Sequence, residues 1–395
     1  MKISERAALV PPSPIRKLVP FADEAKLKGA IVHHLNIGQP DVPTPPVFFE
    51  AVARYSDKVL GYGHSAGFAK LRAAMAGYYT KLGHGIEPEH VTVTTGGSEA
   101  ILFAHTAVAD AGDEVLCFEP FYTNYNGYAA QASVKLEPVR CLAENGYHLP
   151  PREVVEKAVG SRTRAILICS PNNPTGTVLT QSEMQMLVDI AKKRDLYLIA
   201  DEVYREFVYG EVPHTSVLAF PEISDRAVLM DSLSKRYSVC GARIGCLVTR
   251  NEGLGQAFLR LGQARLCPPS LEQAGALALL SLGTAYFTET QREYRRRRDA
   301  VMAGLAQIPG VQARTPEGAF YVMARIPVRD SGRFATWLLT DFRLDDETVM
   351  VAPGDGFYAT PGLGGDEIRL AYVLEADRLT RAMRCLREAL ATYRD

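Results

Sequence analysis

The sequence predicts an α/β protein with a mainly parallel sheet, and three observations carry that expectation. Between about residues 90 and 250, short apolar runs alternate with stretches of helical character. The runs, among them "AILIC", "LYLIA" and "AVLM", are apolar throughout instead of alternating, which suits strands covered on both faces. Polar and glycine residues then fall directly after the runs, where such strands would end.

Taken in order, residues 1–35 hold Pro11, Pro12, Pro14 and Pro20 with little periodicity, and read as an arm lying over another surface, a partner subunit being one candidate. "HVTVTT" precedes the helical "GGSEAILFAHTAVA", "DEVLCFEP" leads into a tyrosine-rich turn, and "RAILICSP" precedes "TQSEMQMLVDIAKKR". "LYLIADE", "AVLMDSLS" and "IGCLVT" follow as further strands. A long helical stretch begins after Leu271 and could connect two domains. The remainder, with "GAFYVMARI", "RFATWLLTDF", "VMVAPG", "EIRLAYV" and a closing helix, suits a smaller α+β domain. The expected division is an arm at 1–35, a large domain at 36–285, and a small domain at 286–395 that takes in part of the N-terminal segment. Arg295–Arg298, flanked by Glu293 and Asp299, read as a solvated helix surface.

Composition narrows the function classes. The formal net charge of −1 argues against general affinity for nucleic acid or anionic membranes. No run approaches the roughly 18 apolar residues of a membrane span, and the N-terminus shows no secretory h-region. Seven cysteines without C-x-x-C pairs, several inside apolar runs, point to reduced thiols in a cytoplasmic protein and away from disulfides or a metal site.

The chemistry gathers at the predicted strand ends. After "VTVTT" come Gly96, Gly97, Ser98 and Glu99 and a helix start, a combination that offers backbone N–H groups to an anion. After "AILIC" comes the rigid turn "SPNNPTG" with Asn173. Asp201 and Tyr204 follow "LYLIA", and Ser232, Ser234 and Lys235 follow "AVLM", with Arg243 shortly beyond. Together they supply a phosphate cradle, a carboxylate, hydrogen-bonding groups and an amine. That inventory meets the needs of pyridoxal 5′-phosphate: a lysine Schiff base, an acid partner for the ring nitrogen, and a held phosphate.

The ordered set "GGSEA", "SPNNPTG", "ADEVY", "SLSK" with Arg243, and "IRLAYV" resembles the fold-type I pyridoxal phosphate-dependent aminotransferases of class I/II, from about residue 35 to 373. The resemblance implies the aspartate aminotransferase-like fold, in which a large domain with a mainly parallel sheet between helices joins a smaller α+β domain. It implies that Lys235 is the Schiff-base lysine and the base that moves the substrate α-proton. Asp201 faces the pyridine nitrogen, and Tyr204 and Asn173 bond the ring oxygen, with the Asn173–Pro174 bond a candidate for the cis form. The phosphate falls to Gly97, Ser98, Glu99, Ser232 and Arg243, joined by Tyr62 from a partner subunit. Tyr122 stacks on the ring. Arg369 grips the substrate α-carboxylate, with Gly38 contributing its backbone. The implied activity is ping-pong transfer of an amino group between an L-amino acid and a 2-oxo acid, in a homodimer.

One departure bears on specificity. Some bacterial aspartate-specific relatives carry a lysine directly after the glycine pair, and here Ser98 gives no charge match. The segment 352–367, "APGDGFYATPGLGGDE", is unusually Gly-rich and suggests a distinct pocket. The same residues would also serve elimination, synthase or cyclisation chemistry on an amino acid, since these differ only after the α-proton leaves. A non-catalytic binding module is the reading from another class.

Overall fold

The computed structural model describes residues 1–394. Its strands are β1 (Ile31–His34), β2 (Val91–Thr95), β3 (Glu114–Glu119), β4 (Lys135–Arg140), β5 (Thr163–Cys169), β6 (Tyr197–Asp201), β7 (Ala227–Ser232), β8 (Ile244–Val248), β9 (Gln312–Ala313), β10 (Tyr321–Arg325), β11 (Glu347–Met350), β12 (Ala352–Pro353) and β13 (Glu367–Ala371). Seven of them form one sheet in the order β2-β8-β7-β6-β5-β3-β4. All point the same way except β8, which runs antiparallel to both β2 and β7.

Both faces of this sheet are apolar. Ile166, Ile168, Leu198, Ala200 and Leu229 pack on one side, and Ala165, Leu167, Ile199, Val228 and Met230 on the other. The strands therefore read as unbroken apolar runs. β4 gave no such run in the sequence. It is the sheet edge, with Lys135 exposed and Pro138 in its middle, a residue that cannot donate to a ladder and is tolerated only where one side is unpaired.

A second, four-stranded antiparallel sheet runs β12-β13-β10-β9, and β1 pairs in parallel with β11. The N-terminal segment is thus structured: helix Val19–Leu27 and β1 lie within it. The long helical stretch is two helices, Ser270–Leu279 and Thr284–Leu305, with Gly283 starting the second. The arginine run does not stay wholly in solvent. Arg297 is buried, pairs with Glu293 at 2.8 Å and Asp41 at 2.6 Å, and donates to the Val373 carbonyl. The helix turns this one arginine inward, where two carboxylates and a carbonyl compensate its desolvation.

Candidate active site

The carboxyl ends of β2, β5, β6 and β7 open into one cleft of about 580 Å³. β7 ends in Asp231 and Ser232, and a single helical turn, Leu233–Arg236, carries Lys235. That turn is locked from below. Asp231 accepts from the Tyr79 hydroxyl at 2.8 Å, from Arg236 at 2.5 Å and from the Ser232 N–H at 2.7 Å. The buried Arg236 guanidinium also lies 4.4 Å from the centre of the Tyr78 ring. Lys235 Nζ donates to the Gly38 carbonyl at 2.6 Å and lies 3.6 Å from Cys240 Sγ. Residue 38 must be glycine, because a Cβ there would overlap the Tyr321 hydroxyl.

The anion-binding end is built from helix Gly96–Val108. No side chain caps its N-terminus, so the first N–H groups stay free for a ligand. Gly96 has φ +71, and a Cβ on it would lie 2.6 Å from Arg243 Nη2. The missing side chain is what lets the guanidinium approach the helix end. Arg243 donates to Ser98 Oγ at 3.4 Å and to the Cys240 carbonyl at 3.0 Å. Ser232 Oγ, 2.9 Å from Ser234 Oγ, completes the cradle.

Asp201 closes β6. Its Oδ2 accepts from the Tyr125 hydroxyl at 2.8 Å, and Val203 N–H donates to Oδ1 at 3.3 Å. Burial raises its pKa to about 6 against the pull of those two donors. A cationic ring N–H opposite it would hold it ionised. Tyr204 and Tyr321 share a hydroxyl–hydroxyl bond of 2.8 Å, and burial keeps the Tyr204 phenol protonated. Tyr122 stands edge-on to Tyr125, with centroids 5.5 Å apart.

Arg369, on β13, is fully buried. It donates to Asn173 Oδ1 at 3.0 Å and to the Asn36 carbonyl at 2.5 Å, between the rings of Tyr321 and Phe357. Its Nε has no partner, and burial lowers its pKa from the ordinary arginine value. A buried cation with a free donor and no carboxylate fits a planar anionic ligand. The free Nε, the uncapped helix end with its arginine, and the buried carboxyl suit the carboxylate, phosphate and ring nitrogen that pyridoxal phosphate chemistry brings together.

Gly38, Gly97, Ser98, Tyr122, Asn173, Asp201, Tyr204, Ser232, Lys235, Arg243 and Arg369 all line this cleft. Two expected residues do not. Glu99 is expected to act through its N–H, and its side chain turns back to the Thr95 N–H at 2.7 Å and pairs with Arg265 at 3.2 Å. Tyr62, expected to act in a partner subunit's cleft and not in its own, is 83% exposed on this chain. The cis bonds are Glu119–Pro120 and Ser170–Pro171, so Asn173–Pro174 is trans, a correction to the expected isomer. The Gly-rich segment lines a different groove of about 890 Å³, with Tyr358 and Gly362–Glu367 facing Arg140 and Arg314. Tyr125, Tyr321 and the Asp231–Arg236 pair escaped the sequence reading. Tyr125 lies three residues beyond Tyr122, and nothing in "FYTNY" says which tyrosine reaches Asp201.

This architecture defines an enzyme that uses pyridoxal 5′-phosphate for amino-group chemistry. The model of the family "Aminotransferase class I and II" matches residues 30–386, and the chain belongs to that family. It is 31% identical to an aspartate aminotransferase of Pyrococcus horikoshii over 98% of this chain and 97% of that one. It is 32% identical to aromatic-amino-acid aminotransferase 2 of Thermococcus litoralis, over 97% of each. Among solved structures, the aspartate aminotransferase of Thermotoga maritima superposes with a TM-score of 0.90 at 30% identity, covering 99% of this chain and 100% of that one. The alanine aminotransferase of Pyrococcus furiosus also gives 0.90, at 28% identity and the same coverage. The protein is a pyridoxal phosphate-dependent aminotransferase, with amino acids and 2-oxo acids as its substrates. Among the described residues no helix is long and apolar enough to cross a membrane.

Proposed function

We propose that this cleft exchanges an amino group between an L-amino acid and a 2-oxo acid through roles divided among its own residues. Lys235 is the nucleophilic amine and the base that carries the α-proton. Asp201 stays ionised against the cofactor's ring nitrogen, which lets the cofactor, when bound, withdraw electrons from the substrate α-carbon. Tyr204 and Asn173 orient the ring oxygen, and Tyr122 covers the ring face. The N–H groups at Gly97, Ser98 and Glu99, with Ser232 and Arg243, hold the phosphate. Arg369 holds the α-carboxylate beside Gly38. The observation that carries this reading is the free Nε of a buried Arg369 in the same cleft as Lys235.

The same proposal covers assembly and setting. Tyr62 stands in an exposed stretch with Val59 and Leu60, an apolar patch that asks for cover. A homodimer in which Tyr62 reaches the phosphate end of the partner's cleft accounts for it. The chain divides at about residues 35 and 285 into arm, large and small domains. Seven free cysteines support a reducing compartment such as the cytoplasm, in amino-acid metabolism.

The test is a half-reaction. Mixing the holoenzyme with single amino acids should yield the pyridoxamine form of the cofactor and the matching 2-oxo acid. Release of oxo acid and ammonia without that form would point to elimination instead. Sedimentation showing an active monomer would defeat the dimer.

A further inference from the structure

We infer that Arg16 is the residue that reads the far end of the substrate side chain, and that it selects amino acids ending in a carboxylate. This rests on the transaminase reading above and goes beyond it in naming a substrate class. Four cations line the cleft: Arg16, Lys235, Arg243 and Arg369. Each of the last three has work at the reacting centre, on the amine, the phosphate and the α-carboxylate. Arg16 has none.

The carboxylates available to neutralise it are already engaged. Among the described residues only Asp201 and Asp231 line the cleft as acids. Asp201 is bonded to Tyr125 and Val203, and Asp231 to Arg236 and Tyr79. Arg16 enters no ion pair of the described chain, and Ser98 supplies no competing charge at the phosphate end. With the phosphate assigned to Arg243 and the helix end and the α-carboxylate to Arg369, the exposed Arg16 is the cation of the lining without an assigned anion, and the substrate side chain is the group left to meet it.

The backbone holds Arg16 in place. Ile15 packs against the core beneath the large sheet, and Leu18 is buried in the core of the second sheet. Pro14 fills the space over Gly356, where a Cβ would clash with it. Ser13 Oγ accepts the Arg16 N–H at 3.2 Å. The arm therefore bridges both cores across the mouth, with Arg16 between its two anchors. Ile15 and Ile37, also in the lining, offer an apolar surface for the methylenes of an acidic side chain.

Each acid has a neutral isostere of the same shape, which makes the test sharp. Half-reaction kinetics on the holoenzyme compare L-aspartate with L-asparagine and L-glutamate with L-glutamine. The wild type should favour at least one acid over its amide by about tenfold or more, the size expected of one well-placed charge pair. Arg16→Ala should bring that ratio close to one, chiefly through KM. Arg16→Lys should retain part of it, since the charge survives and the fork does not. A wild type that treats acid and amide alike, or an Arg16→Ala ratio equal to wild type, overturns the inference and leaves transamination standing. Failure of every amino acid to convert the cofactor removes both.

Discussion

The floor of the cleft and its mouth are built by different means. At the floor, most working side chains lie at the ends of strands of one seven-stranded sheet, with Arg369 added from β13 of the second sheet, and a second layer holds them: Asp231 and Arg236 under Lys235, Tyr125 on Asp201, Gly96 making room for Arg243, Asn173 on Arg369. At the mouth, Ser13, Ile15, Arg16 and Ile37 come from an arm and a loop outside the large sheet, held by packing and by a few hydrogen bonds such as those from Arg369 and Lys235 to the Asn36 and Gly38 carbonyls. Rigid placement goes with steps common to all substrates, and loop placement with the choice between them. Substitutions at the floor should therefore damage all substrates alike, and substitutions at the mouth should change ratios.

The largest effect tests the floor directly. Lys235→Ala should lower the transamination rate by at least about 10⁴-fold for every amino acid, because nucleophile and base vanish together. Borohydride should no longer fix the cofactor to the chain. A rate loss confined to one substrate class would break the division between floor and mouth.

Arg369→Ala should cost less, about 10²- to 10³-fold in kcat/KM, since it removes a buried, charge-assisted contact to a group that all amino acids share. Arg369→Lys should recover little. An ammonium cannot reproduce donation to Asn173, to the Asn36 carbonyl and to a carboxylate from one plane. Equal losses for acidic and neutral substrates would place Arg369 with the floor. A loss restricted to one group would move it to the mouth.

The same division explains what could be read from the sequence. Strand ends are short-range features. A fully apolar run followed by "SPNNPTG" or "DSLSK" states both the strand and what it presents. The edge strand β4 was missed because its one-sided exposure erases the run. The residues that support the site depend on contacts across long stretches of chain: Tyr321 on Tyr204, Tyr79 on Asp231, Arg297 on Asp41. No local pattern distinguishes those side chains from ordinary core aromatics or surface arginines. Arg16 lies in a proline-rich segment with no periodicity, and its place at the cleft follows from packing alone.

Asp201 links the floor to stability. Its pKa is raised from 3.8 to about 6 by burial, so the neutral carboxyl is the form that the cofactor-free fold favours. The stability it gives is fully present below about pH 3.8 and is lost as pH rises through about 6, a change of about 3 kcal/mol for that interval. Asp201→Asn should therefore stabilise the cofactor-free protein at pH 8 by up to that amount and give no advantage near pH 4. Urea unfolding at the two pH values reads this out. The same variant should bind pyridoxal phosphate more weakly, since the ring nitrogen loses its carboxylate. A variant less stable at pH 8 would show that the buried charge is compensated without the cofactor.

The smallest effect falls on the layer behind the floor. Tyr125→Phe removes the hydroxyl that donates to Asp201 at 2.8 Å and keeps the ring that packs against Phe121 and Tyr122. That donor favours the ionised carboxylate, so without it the Asp201 pKa should climb further above about 6. One hydrogen bond to a charged group is worth about 1.5–3 kcal/mol where the acceptor loses its only donor, but Val203 N–H still serves the carboxylate at 3.3 Å. We expect about 1 kcal/mol, or roughly fivefold weaker cofactor binding near neutral pH. The deficit should shrink as pH rises, because alkali ionises Asp201 whether or not the hydroxyl is present. Titrating pyridoxal phosphate into wild type and variant at pH 6.5 and 8.5 measures the difference. A deficit that does not change with pH would mean that Tyr125 shapes the pocket and leaves the charge of Asp201 to other groups.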